Sequence, residues 1–158
     1  MKNLKHHLLL IGVLLSLSSF SELNNANNLI EKNPPVKSKS IVFIENSLST
    51  ALKTAKAEHK YIFVDAYATW CGPCKQLKNT TFQDNQVADL FNKNFVNLSI
   101  DMEKGEGTDL ALKWDVQEYP TLLVLDHNGI IVFRSVGYLN AKQLTEFGKQ
   151  ALKKSENQ

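Results

Sequence analysis

The chain has two cysteines, Cys71 and Cys74, separated by Gly72 and Pro73. On the first turn of a helix this spacing brings the sulfurs within reach of each other, so the pair can cycle between dithiol and disulfide and carry two electrons. Cys71 follows closely on an apolar run at residues 61–67 (YIFVDAY) and opens a stretch that reads as helical. At such a point, unpaired backbone N–H groups and the helix dipole favour negative charge and lower a thiol's pKa. A drop from ~8.5 to ~7 raises the thiolate fraction at pH 7 from about 3% to about 50%, while intrinsic nucleophilicity falls roughly fivefold. The net gain in attack is about threefold, and the larger benefit is that a stabilised thiolate also leaves readily from a mixed disulfide. Pro73 is tolerated in the first turn because its missing N–H had no helical partner there.

Two other chemistries compete for this pair. A structural disulfide closing so short a loop contributes only about 2 kcal/mol, against ~3 for fifteen residues, which makes it a poor staple. A structural zinc wants four ligands, and beyond the first segment the chain offers only His59 and His127 besides these cysteines. Asp65 interrupts the apolar run. An ionised carboxylate there would lose its hydration, so its pKa should rise and the group should hold a proton near neutrality, unless it sits at a wet strand edge.

The elements that must position these residues alternate strand and helix. Residues 41–45 form a short β-like run, and Leu48, Ala51, Leu52 and Ala55 share a helical face behind a Ser47 N-cap. Residues 61–67 are apolar at nearly every position, the pattern of a central strand covered on both faces. A helix runs from the cysteines to about Thr80, a second is capped by Asp84 and continues through Phe91, and residues 95–101 form the next strand. A short helix at residues 110–114 follows the Gly105/Gly107 loop. Residues 121–125 and 130–136 flank Asp126-His127-Asn128-Gly129, a hairpin signal because Asn and Gly tolerate positive φ. The last helix starts at Asn140, with Gln143 as capping-box partner, and buries Leu144, Phe147, Ala151 and Leu152. The expected fold is an α/β three-layer sandwich around a mixed central sheet.

Composition narrows the function classes. At 158 residues, 43% hydrophobic and 22% charged, the chain has room for one ordinary core. Lys2 and Lys5 precede an apolar stretch at residues 8–17, and Ser18, Ser19 and Ser21 supply small residues for cleavage. Residues 1–21 therefore read as a secretory signal, with an uncleaved anchor or a buried helix as the alternatives. Without those two lysines the 18 Lys and Arg become 16, equal to the 16 Asp and Glu, so nothing global argues for nucleic acid as a partner. The apolar stretch is short of the ~20 residues a membrane span requires, so no membrane insertion is expected after cleavage. Asn-rich residues 22–40, with Pro34 and Pro35, read as a flexible linker, residues 41–154 as the folded domain, and residues 155–158 as a tail. Gly105-Glu106-Gly107 lacks the Lys-Ser/Thr of a phosphate loop, and the sequons at Asn79 and Asn97 read as chance.

Residues 64–75 (VDAYATWCGPCK) resemble the active-site signature of the thioredoxin family. Tyr119-Pro120-Thr121 is similar to its cis-proline motif, and Val136-Gly137 to its late glycine. The resemblance covers residues 41–154. Within the family, Thr81-Phe82-Gln83-Asp84 and Val87 resemble the periplasmic C-terminal domain of the DsbD reductant conductors, although Gly-Pro between the cysteines is thioredoxin's own pair.

The resemblance implies a thioredoxin fold with a redox-active Cys71–Cys74 disulfide, in which Cys71 attacks, Cys74 resolves and Asp65 accepts the Cys74 proton. It implies that Pro120 is cis and faces the disulfide, leaving the Tyr119 backbone ready to pair with an extended substrate segment. Trp70, Gly72, Pro73, Tyr119 and Pro120 would form the substrate-binding surface, with Tyr67 serving in packing. Where thioredoxins usually carry a lysine near the buried acid, this chain has Asn97. That loss should raise the Asp65 pKa further unless another group compensates. The expected function is an exported, periplasmic or otherwise extracytoplasmic thiol–disulfide oxidoreductase. It would be a monomer without cofactor, reducing protein disulfides and recharged by a thiol-donating partner protein. A disulfide oxidase or isomerase, and a peptide-binding module of the same fold, are the alternatives.

Overall fold

The computed structural model describes residues 39–155. The signal at 1–21, all but the last two residues of the linker at 22–40, and residues 156–158 of the tail lie outside the described residues.

The elements are β1 (Ile44–Glu45), α1 (Leu48–Glu58), β2 (Tyr61–Tyr67), α2 (Gly72–Asn79), a 3-10 turn (Thr81–Gln83), α3 (Asn85–Asn94), β3 (Phe95–Asp101), α4 (Gly107–Lys113), β4 (Thr121–Leu125), β5 (Ile131–Val136) and α5 (Ala141–Ser155). They build one five-stranded sheet of order β1-β3-β2-β4-β5. β1, β3 and β2 run parallel, whereas β4 and β5 pair antiparallel. This is the α/β sandwich with a mixed sheet that the alternation of elements predicts, and YIFVDAY is its middle strand.

Alternating residues of β2 face opposite layers. Ile62, Val64 and Ala66 join Leu98, Ile100, Leu123 and Leu125 beneath α1 and α4. Phe63 points the other way and meets Leu122, Val124, Leu77 of α2, Phe91 of α3 and Phe147 of α5. Its ring lies edge-on to Phe91 at 4.6 Å and to Phe82 at 6.2 Å. Burial on both faces explains why β2 carries no charged side chain except Asp65.

The caps follow local chemistry. The Ser47 side chain accepts the Thr50 N–H, and Asp84 accepts from Gln86 and Val87, so both serve as N-caps. Asn140 and Gln143 exchange bonds, Gln143 Oε1 accepting the Asn140 N–H and Asn140 Oδ1 the Gln143 N–H.

Several boundaries differ from the sequence reading. The β-like run at 41–45 pairs only at Ile44–Glu45, because the Ile41 N–H goes to the Phe82 carbonyl and the Val42 N–H to Asn92 Oδ1. α3 continues to Asn94 and runs straight into β3, and α4 begins earlier, at Gly107. In the hairpin, positive φ falls on Gly129 but not on Asn128. Asp126 Oδ1 accepts the N–H groups of Asn128 and Ile130 and sets the turn instead. Leu152 is half-buried at the end of α5, less covered than its helical face implied.

Gly148 lies where α5 crosses α3. A Cβ there would stand 2.9 Å from Phe91 Cζ, and the Phe91 ring is itself locked by Phe63 and stacked on Phe95 at 5.1 Å. An exposed helical Gly→Ala change usually stabilises by about 1 kcal/mol. Here Gly148→Ala should instead lower the unfolding free energy by about 1–3 kcal/mol, read from urea denaturation, because the ring cannot yield without disturbing the core.

Candidate active site

The site is built at the C-terminal end of β2. Three residues, Ala68, Thr69 and Trp70, carry the chain from the strand to Cys71, whose N–H donates to the Ala68 carbonyl at 3.1 Å. Cys71 is the N-cap of α2, and its sulfur accepts the Cys74 N–H at 3.0 Å. An N-cap has extended φ and ψ and faces the unpaired donors of the first turn, so the sulfur occupies the place where a capping oxygen ordinarily sits. Pro73 falls in the first turn, as its missing donor allows. Cys71 and Cys74 form a disulfide with their Cα atoms 5.3 Å apart.

Both cysteines are buried in this oxidised form, 2% and 6% exposed, and Tyr67 and Tyr119 pack against the small cluster they make with Ala68. The Tyr119–Pro120 bond is cis, and Pro120 is buried. Its carbonyl accepts the N–H of Gly137 at 2.8 Å, and Gly137 has φ +92°, a conformation side chains rarely adopt. The two motifs read separately in the sequence therefore meet in one loop cluster beside the disulfide. Trp70 is 66% exposed, and its ring stands edge-on to Tyr119 at 5.9 Å. At Gly72 a Cβ would meet nothing within 4 Å, so the surface over the first turn of α2 is open.

Asp65 is 3% exposed and lies beneath this site on β2. Its Oδ2 accepts the Ser99 hydroxyl at 3.2 Å, and its Oδ1 has no hydrogen-bond partner among the described residues. Burial pushes its pKa up to about 7, opposed by the Ser99 bond and the positive charge of Lys78 and reinforced by Glu45. The upward direction of this shift is the one its place in an apolar run implied.

The departure at position 97 has a structural answer. Asn97 does not bond Asp65; its Nδ2 donates to the Val42 carbonyl at 3.2 Å and to Asn92 Oδ1 at 3.1 Å, clamping the segment before β1. The compensating cation comes from a different element. Lys78, one turn beyond Cys74 on α2, lies 5.5 Å from the centroid of the Tyr67 ring and lowers the pKa of Asp65. Tyr67 thus supports a charge as well as packing on the cysteines.

Sequence reading missed Ser99, Lys78 and Glu103. The first follows from the β2/β3 register, which sets Asp65 beside Ser99. Glu103 receives the Trp70 indole N–H on both carboxylate oxygens, at 3.0 and 2.9 Å, across 33 residues of sequence that no local pattern connects.

The raised pKa has a stability consequence of definite sign. Folded Asp65 binds a proton more tightly than the unfolded chain, whose value is near 3.8, so the contribution of Asp65 to wild-type stability falls as pH rises from about 4 to about 7. Asp65→Asn removes that loss. In denaturation across pH the variant should gain on the wild type by on the order of 4 kcal/mol at pH 8, and by little at pH 4. Lys78→Met should move the pH-dependent segment of the wild-type curve upward, and an unmoved curve would show that Lys78 does not act on Asp65.

The thioredoxin-like domain family matches residues 48–152. The thiol:disulfide interchange protein DsbD of Haemophilus influenzae strain PittGG is 30% identical over 125 residues, 77% of this chain and 21% of that protein. DsbD of Pseudoalteromonas atlantica is 33% identical over 105 residues, covering 64% of this chain and 18% of its own length. The chain thus spans about a fifth of the length of the curated relatives it matches. Among solved structures, a Bacteroides thetaiotaomicron protein provisionally assigned as a disulphide isomerase aligns at 46% identity with a TM-score of 0.63, covering 77% of this chain and 98% of that one. The oxidised C-terminal domain of Neisseria meningitidis DsbD, at 23% identity and a TM-score of 0.58 over 70% of this chain and 99% of its own, shares the fold. With the sheet order, the cysteine pair and the cis proline already in place, the family match establishes that the chain belongs to the thioredoxin-like family.

Proposed function

We propose that this chain is an exported thiol–disulfide oxidoreductase that works as a reductase of protein disulfides. The observation that carries the reading is Cys71 as N-cap of α2, its sulfur accepting the Cys74 N–H and bonded to Cys74. In the reduced protein the Cys71 thiolate attacks one sulfur of a substrate disulfide. A Cys71–substrate bond forms, the substrate S–S bond breaks, and the departing thiolate takes a proton from water. Cys74 then gives its proton to the Asp65 carboxylate, attacks the Cys71 sulfur and expels the second substrate thiolate. Two electrons have passed to the substrate, and the oxidised pair remains. A partner protein carrying a free dithiol returns the electrons.

Trp70, Gly72, Pro73, Tyr119 and Pro120 form the contact surface for the substrate, and the open space over Gly72 supports that role. The export reading rests on the order of basic, apolar and small residues in positions 1–21. The direction rests on Gly-Pro between the cysteines, the pair found in thioredoxin, whose potential is ~−270 mV against ~−120 mV for a strong oxidant. A second reading, a disulfide isomerase, is favoured by the 46% identity to the Bacteroides protein.

Equilibration with glutathione decides the direction. A reductase should show a potential near ~−270 mV, and a value near ~−120 mV would overturn that assignment. Cys74→Ser should trap a mixed disulfide with substrate through Cys71, visible by mass spectrometry. Asp65→Asn should slow resolution at pH 7 by about tenfold or more in single-turnover kinetics. Disulfide exchange that survives replacement of both cysteines by serine would overturn the redox assignment.

A further inference from the structure

We propose that Glu103 is a positioning residue that holds the Trp70 indole as a fixed docking surface beside Cys71 for the polypeptide of a protein substrate. The proposal rests on the reductase reading and adds to it a determinant of protein over small-molecule substrates.

The indole is constrained from two sides although it is 66% exposed. Its N–H is shared between the two oxygens of Glu103, and its ring meets the Tyr119 ring edge-on at 5.9 Å. Tyr119 in turn packs on the cysteine cluster, so the indole is linked through the phenol ring to the disulfide. The carboxylate is held by a braced turn. The Met102 N–H donates to the Tyr67 carbonyl at 2.9 Å and ties the turn to the end of β2, and the Glu103 N–H donates to Asp101 Oδ1 at 3.1 Å. Asp101 is buried, its N–H donates to Asn46 Oδ1 at 2.8 Å, and its carboxylate pairs with Lys104 at 3.1 Å. Glu103 therefore presents its oxygens from a backbone that is itself fixed.

An exposed hydrogen bond of this kind adds little to folding, because water competes for both partners. Its effect falls on orientation. A tryptophan offers a large, rigid, mostly apolar area, and one immobilised beforehand spares an incoming chain the entropy of ordering it. A small disulfide reaching Cys71 needs no such surface, whereas a polypeptide laid across Trp70 and Tyr119 does.

The test uses the full chain with insulin and hydroxyethyl disulfide as substrates. Glu103→Ala should raise the KM for insulin about two- to tenfold with a smaller change in kcat, and Glu103→Gln, which keeps an acceptor oxygen, should restore most of the loss. The insulin-to-hydroxyethyl-disulfide ratio of kcat/KM should fall by a similar factor in Glu103→Ala, while Glu146→Ala on α5 leaves it unchanged. In a Trp114→Phe background Trp70 is the sole indole, and its fast anisotropy decay should grow in amplitude in Glu103→Ala but not in Glu103→Gln. An unchanged substrate ratio, or an indole equally restrained without Glu103, would overturn the proposal. Failure of the unaltered protein to reduce either disulfide would instead overturn the reductase reading beneath it.

Discussion

The proposed chemistry needs a place where negative charge on a thiolate costs little, and the point where β2 runs into the first turn of α2 fits that need. The strand is buried on both faces and paired on both edges, so its end is fixed in space. Three residues later the first turn of α2 presents the Cys74 N–H to the Cys71 sulfur. The rest of the site is arranged around that sulfur. The cis Tyr119–Pro120 loop, tied to Gly137, closes one side, and Trp70 stands on the surface held by Glu103.

The acid beneath creates an opposite demand. A second negative charge near the cysteines would oppose thiolate formation, yet resolution requires a group able to take a proton. In the proposed cycle, burial of Asp65 would meet both needs, since it pushes the carboxyl's pKa up to about 7 and leaves the group able to ionise. The balance is adjusted from α2 by Lys78, which leaves position 97 free for another use. There an asparagine amide joins Asn92 and the Val42 carbonyl and secures the segment leading to the sheet's edge strand. One residue change is thus shared between electrostatics and architecture, with the cation supplied by the helix that also carries the cysteines.

Much of this was legible in the residue order, for local reasons. β2 and β3 have the bounds read from their apolar runs, and Ser47, Asp84 and the Asn140/Gln143 pair cap helices as their types require. Asp65 was legible because a carboxylate in a doubly covered strand has few physical outcomes. Features that depend on distant partners were not. β1 is short because Asn92, 50 residues along the chain from Val42, takes the donor a longer ladder would need. The charge of Lys78 acting on Asp65 and the Trp70 bond to Glu103 are products of the packed fold, and no periodicity announces them. The cis bond at Pro120 came from family resemblance alone, since most X-Pro bonds are trans.

The central claim is that the fold stabilises a negative charge on Cys71. It is tested most directly by titrating the fully reduced protein and following thiolate absorbance in the ultraviolet, with Cys74→Ser used to isolate the Cys71 signal. The account predicts an apparent pKa near ~7 or below, against ~8.5 for a free cysteine. Ionisation of Cys71 at ~8.5, as if the thiol stood alone in water, would contradict it.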